Sequence, residues 1–227
     1  AYQGQLSARG GNLRIMDGTR EVAALVLPSN PTPAQKWLRV TEIHFEPAEP
    51  PNPSPFTGED FEFIELMNTG DTALDLSKVS FTDGVLFDFA TSTRTNLAPH
   101  ATVLVVRNAA AFRSRYGQGL PIAGEYTGRI DNNGERIRLE ELGEVVLDFR
   151  YPTDFPRTHG QGRSIMVVDA SAPWTSWNNP LLWIESDANG GTPGDHTSKY
   201  ALWAAQRFSA AELADPAIGG SDADPDS

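Results

Sequence analysis

Apolar and polar residues alternate with a period of two over much of this chain, in short runs separated by Gly, Pro, Asn and Asp. Runs of this kind mark strands with one buried face, and their close spacing points to a sandwich or barrel, not a βαβ fold. The pattern predicts strands over Leu38–Phe45, Phe61–Leu66, Ala73–Leu76, Val79–Phe81, Leu86–Phe89 and Thr102–Val106. Three more follow over Arg136–Leu139, Val145–Phe149 and Ser164–Val168, the first two joined by the turn Leu142-Gly143-Glu144. In the first run Leu38 and Val40 share a side with Glu42, and the apolar face shifts late in the run. Thr102–Val106 is continuously apolar, as a strand buried on both faces would be. The Pro-rich stretch Pro47–Pro55 cannot join a ladder and reads as an exposed loop.

Helical patterning is confined to two places. Asn108 can cap a helix that ends at Gly117, and Lys199–Ala214 reads as two short helices meeting near Phe208, with Ser209-Ala210-Ala211-Glu212 as a capping box.

The N-terminal stretch repeats a later one. At a constant offset of 124 residues, Tyr2 falls on Tyr126, Gly4 on Gly128, Gly10 on Gly134, Arg14 on Arg138, Val22 on Val146 and Pro28 on Pro152. Leu13, Ile15 and Leu25 meet Ile137, Leu139 and Phe149. Two unrelated hairpins would share alternation but not glycine and proline positions as well. Residues 1–33 therefore read as the closing hairpin of a preceding copy plus a linker, docked on the complete module because a lone hairpin is marginal. Residues 34–196 read as that complete module, and 197–227 as a helical exit and acidic linker.

Composition narrows the function. A hydrophobic fraction of 39% supports a packed core, while the net charge of −12 argues against nucleic-acid binding, which needs an excess of Lys and Arg on some surface. Local basic clusters exist at Arg107, Arg113 and Arg115 and at Arg136 and Arg138. Without cysteine there are no disulfides, thiolate metal sites or Cys nucleophiles. No apolar run reaches the length of a membrane span.

An ordered series of short motifs then carries a family likeness. It runs through Val40-Thr41-Glu42-Ile43, Glu62-Phe63-Ile64-Glu65-Leu66-Met67-Asn68, Leu74-Asp75-Leu76-Ser77, Leu97-Ala98-Pro99-His100 and Val105-Val106-Arg107-Asn108. It continues through Phe112-Arg113-Ser114-Arg115-Tyr116-Gly117, Gly128, Asn133-Gly134-Glu135, Gly162-Arg163-Ser164-Ile165 and Gly190-Gly191-Thr192-Pro193-Gly194. Residues 38–195 thereby resemble the bacterial lamin-tail domain. Two departures are Val79, where the family has tryptophan, and His100, where it commonly has glycine. The resemblance implies an all-β, immunoglobulin-like sandwich without a reaction of its own. It also implies an adhesive, spacer or targeting role in a large secreted or surface protein. The partners would be other domains of the same polypeptide and protein or polysaccharide at the cell surface.

Candidate chemistry is sparse. Trp174, Trp177 and Trp183 cluster in a long loop; exposed, they could stack on sugar rings, and enclosed, they would plug the end of the sandwich. They are the candidate ligand-binding residues of an alternative, carbohydrate-binding reading. Glu42 and Glu65 sit at matching points of neighbouring strands, where paired carboxylates either hold a cation or satisfy backbone donors. His44, His100, His159 and His196 lack metal-type spacing. No cofactor is called for. Asp222, Asp224 and Asp226 have the spacing of the first ligands of a calcium loop but lack its Gly and distal Glu. They read as a solvated tail, with calcium the ion the tail or the parent protein would take.

Overall fold

The computed structural model describes residues 10–155, 158–159, 161–195 and 208–213. Its centre is a sandwich of two sheets. The larger layer has the order β10(Ile122–Glu125), β9(Thr102–Val106), β4(Phe63–Asn68), β3(Leu38–His44), β13(Ile165–Val167) and β14(Trp183–Glu185). Only the β10–β9 pair within it is parallel. The facing layer runs β12(Glu144–Arg150), β11(Arg136–Glu141), β6(Val79–Asp83) and β7(Phe87–Asp88), and β5(Leu74–Asp75) pairs separately with β8(Asn96–Leu97). The architecture is the all-β, immunoglobulin-like sandwich the motif series implied.

Burial follows from strand parity. Val40, Ile43, Ile64, Leu66, Val103 and Val105 project into the central core against Phe81, Ile137, Leu139 and Phe149. The pairing of β3 with β4 shifts register between Val40 and Glu42, leaving Thr41 as a bulge. An extra residue reverses which side the following side chains face. Ile43 and Phe45 therefore stay in the core while Glu42 and His44 turn to the outer face, which is the late shift seen in the sequence. The uniformly apolar β9 is explained in the same way. Val103 and Val105 face the central core, while Leu104 and Val106 join Phe63 and Phe112 in a second cluster under α2(Ala109–Tyr116).

Helix α2 forms where expected: Asn108 accepts from the Ala110 and Ala111 N–H groups, and Gly117 ends it at φ 85°. The five-residue α1(Pro33–Trp37) straddles the expected boundary between linker and module at residues 33 and 34, where no helix was expected; Thr32 and Gln35 form a reciprocal capping box with proline in the first turn. The short α3(Ala210–Leu213) keeps the Ser209–Glu212 box; the rest of the helical stretch expected over Lys199–Ala214 lies outside the described residues. His100 adopts φ 56°, a region favourable to glycine and uncomfortable for a Cβ-bearing residue.

The hairpin β1(Gly11–Asp17) and β2(Arg20–Leu27) forms a separate two-stranded sheet. Its residues are exposed except for partial cover at Leu13 and Leu27, so it stands off the sandwich and does not dock on it as the sequence reading had it. Too few contacts reach the sandwich, and no described segment covers its apolar face.

Candidate functional site

The three loop tryptophans separate by environment. Trp177 is 0% and Trp183 1% exposed. The Trp177 ring meets Phe149 edge-on at 5.1 Å between centroids, and Trp183 lies 5.9 Å from Phe149 at a small tilt. The Trp183 indole N–H donates to the Trp177 carbonyl oxygen at 2.8 Å. The sugar-stacking assignment of these two is therefore corrected: neither offers a ring face to a ligand, and both close the end of the sandwich against β12. Trp174 is half-buried. It borders a groove of about 500 Å³ with Pro31, Gln35, Lys36, Arg39 and Pro173.

The outer face of the larger sheet holds the main polar constellation. Glu42 and Glu65 are cross-strand neighbours, both nearly inaccessible to solvent. Glu42 accepts from the Ser164 hydroxyl (2.5 Å), the Thr192 N–H (2.7 Å) and the Thr192 hydroxyl (3.2 Å). Glu65 accepts from the Thr41 hydroxyl (2.7 Å) and the Gly194 N–H (2.6 Å). The pair thus latches the Gly190–Gly194 loop over the sheet. Gly191 makes the approach possible: at φ +79°, a Cβ there would lie 2.6 Å from Glu42 Oε1. Replacing Glu42 by alanine leaves the Ser164 hydroxyl and Thr192 N–H without this acceptor. The expected loss is about 2–4 kcal/mol. Amides of residues 191–194 should exchange at least roughly tenfold faster, with Glu42→Gln intermediate; unchanged exchange would show that the latch carries nothing.

His44 lies under the same loop. Its Nε2 is 2.9 Å from the Gly162 carbonyl oxygen and donates to it, its ring packs edge-on against Phe63, and the Tyr116 hydroxyl, 3.4 Å from Nδ1, donates to the Gly190 carbonyl oxygen at 2.5 Å. Burial drives its pKa down to about 3, so the ring is neutral at physiological pH. Glu62, immediately before β4, accepts from the Tyr126 hydroxyl (2.7 Å) and the Ile130 N–H (3.1 Å). Burial outweighs those bonds and pushes its pKa up to about 7.

The remaining candidates are bound into local structure. His100 contacts Asp71 at 3.0 Å, His159 meets Glu46 at 2.5 Å, and His196 lies outside the described residues, as do Asp222, Asp224 and Asp226. Among the described residues no group of three His, Asp or Glu is placed to hold a metal ion. A cleft of about 400 Å³ is bordered by Glu46, Glu49 and Glu59, with Glu49 accepting from the Gly58 N–H and Glu59 near Arg129. Most arginines of the basic clusters are engaged too. Arg115 stacks on Phe61 and donates to the Ala48 carbonyl, and Arg136 and Arg138 pair with Asp148. No helix among the described residues is long and apolar enough to cross a membrane.

Against known families, the model of the lamin tail domain matches residues 31–153. The chain belongs to the lamin-tail-domain family. The lamin-tail match begins just ahead of α1 and ends after β12, so it covers Glu42, Glu62 and Glu65 but stops before β13, β14 and the Gly190–Gly194 loop, which the motif series had included. No curated protein and no solved structure matches the chain. As a lamin-tail domain, the sandwich is an immunoglobulin-like module of the interaction type.

Proposed function

We propose that this lamin-tail domain is a non-catalytic interaction and spacer module of a larger bacterial protein, secreted or held at the cell surface, whose partners are neighbouring domains and surface proteins. The observation that carries this reading is where the reactive side chains sit. Glu42 and Glu65 satisfy loop donors, Glu62 accepts from Tyr126 and Ile130, His44 is sealed under the latch, and Trp177 and Trp183 fill the core. A catalytic or sugar-binding surface needs such groups aimed into a cleft that a substrate can enter.

Two measurements test it together. Titration with soluble polysaccharides should leave tryptophan fluorescence unchanged, because Trp177 and Trp183 are enclosed and an interaction module has no sugar to seat on the accessible Trp174 and Trp37. Saturable quenching lost in Trp174→Ala would replace the reading with carbohydrate binding at the groove beside α1. Protease added to intact cells should cleave the parent protein. Protection until the cells are lysed would remove the surface assignment.

A further inference from the structure

The hairpin β1–β2 reproduces the hairpin β11–β12 in structure as well as in sequence. Leu13 pairs with Leu25 as Ile137 pairs with Phe149, Ile15 with Ala23 as Leu139 with Leu147, and Asp17 with Arg20 as Glu141 with Glu144. Each hairpin has one register shift, between Ile15 and Met16 in the first and between Leu139 and Glu140 in the second, at the same aligned step. Entry to both is made by a glycine in the left-handed region, Gly10 at φ 76° and Gly134 at φ 81°. A Cβ on Gly10 would lie 2.6 Å from the Leu27 carbonyl oxygen, and one on Gly134 would lie 3.0 Å from that of Tyr151, the aligned residue.

Equivalent side chains differ only in their surroundings. Ile137, Leu139, Val146 and Phe149 are 0–2% exposed in the core, whereas Ile15, Val22 and Leu25 are 57%, 53% and 56% exposed. An apolar face of this kind on a two-stranded sheet is unfinished, because a hairpin gains stability only by packing against a further layer. The occupant follows from what covers the twin: β11 pairs with β6 and packs its inner face on the larger sheet. The family boundary agrees. The lamin-tail match ends at residue 153, which aligns with Ser29, and it starts at residue 31, two residues beyond that point.

We propose that β1–β2 is the counterpart of β11–β12 in a second lamin-tail sandwich that ends at this hairpin, without strands corresponding to β13 and β14, and that the face bearing Leu13, Ile15, Val22 and Leu25 is the docking surface for the sheets of that sister module. The two sandwiches would then follow one another with a linker of a few residues, Pro28–Thr32, ending at the capping box of α1. This holds wherever the parent protein resides, and so stands apart from the surface assignment above.

The test compares hydrogen exchange in residues 1–227 with that in the whole polypeptide as its gene encodes it. In residues 1–227, amides of 11–27 should exchange at nearly free-peptide rates, while those of 136–150 stay protected. In the whole polypeptide, 11–27 should slow by at least roughly 100-fold. Leu25→Asp should abolish that gain, and Ala24→Asp, on the opposite face, should retain it. A gene encoding no second sandwich ahead of the hairpin overturns the proposal. So do amides of 11–27 that stay fast in the whole polypeptide, or that are already slow in residues 1–227.

Discussion

Replacing Trp177 with alanine is expected to lower the unfolding free energy of the sandwich by about 3–5 kcal/mol, the range for emptying a large aromatic site in a packed core. The ring is fully enclosed, edge-on to Phe149 and 6.1 Å from Trp183, and its carbonyl oxygen accepts the Trp183 indole N–H. The backbone bond survives the substitution; the packing of three aromatic rings does not. For a domain of this size the melting temperature should fall by roughly 10 °C, and Trp177→Phe, which keeps most of the volume, should lose less than half as much. Thermal or urea unfolding checks both. A loss below about 1 kcal/mol would mean the ring behaves as a surface residue and would return it to the ligand-binding candidates.

Stability should also respond to pH through two buried groups of opposite sign. His44 has a folded pKa of about 3 against an ordinary 6.5, so its contribution is complete above pH 6.5 and is lost as pH falls toward 3. Glu62 has a folded pKa of about 7 against an ordinary 4.5, so its contribution is complete below pH 4.5 and is lost as pH rises toward 7. Full loss amounts to about 5 kcal/mol for the histidine and about 3 kcal/mol for the glutamate. Between pH 4.5 and 6.5 the two trends oppose each other and leave the native protein nearly level with respect to this pair. Single variants should uncover each trend. Relative to wild type, Glu62→Gln should gain stability progressively from pH 4.5 to 7. The advantage of wild type over His44→Gln should shrink from pH 6.5 downward. Urea unfolding of the three proteins at pH 4, 5.5 and 7.5 is sufficient; variant-minus-wild-type differences that stay constant across the series would show that neither group titrates as its burial dictates.

The sandwich was legible because its signals are local. Alternation placed most strands, Asn108 and Gly117 bounded α2, and even the bulge at Thr41 left a trace in the shifting apolar face of β3. Shorter elements escaped for physical reasons. β10 has four residues and is completed only by parallel pairing with β9 across the α2 crossover, and β14 has three and lies within the tryptophan loop. Helix α1 is a different kind of miss: Thr32-Pro33-Ala34-Gln35 is a capping box with proline in the first turn, but the five residues it opens are too few to show a helical period. The candidate site was only half readable. Glu42 and Glu65 could be paired across strands, but the Thr192 donor that decides the role of Glu42 is 150 residues away. Trp177 and Trp183 sit in a loop without periodicity, so nothing local could say which way their rings faced.

The carboxylate latch has a mechanical consequence. The chain enters the sandwich through α1 into β3, and beyond β14 it is fastened at Thr192 to Glu42 of β3 and at Gly194 to Glu65 of β4. Tension applied to the polypeptide on either side therefore converges on two adjacent central strands. Their ladder and three carboxylate hydrogen bonds take the load in parallel, and on the entry side Thr32 and Gln35 share it with the facing layer through Glu141 of β11 and the Val145 carbonyl oxygen of β12. Built this way, the sandwich can act as a tether whose core stays folded under strain until the latch gives way.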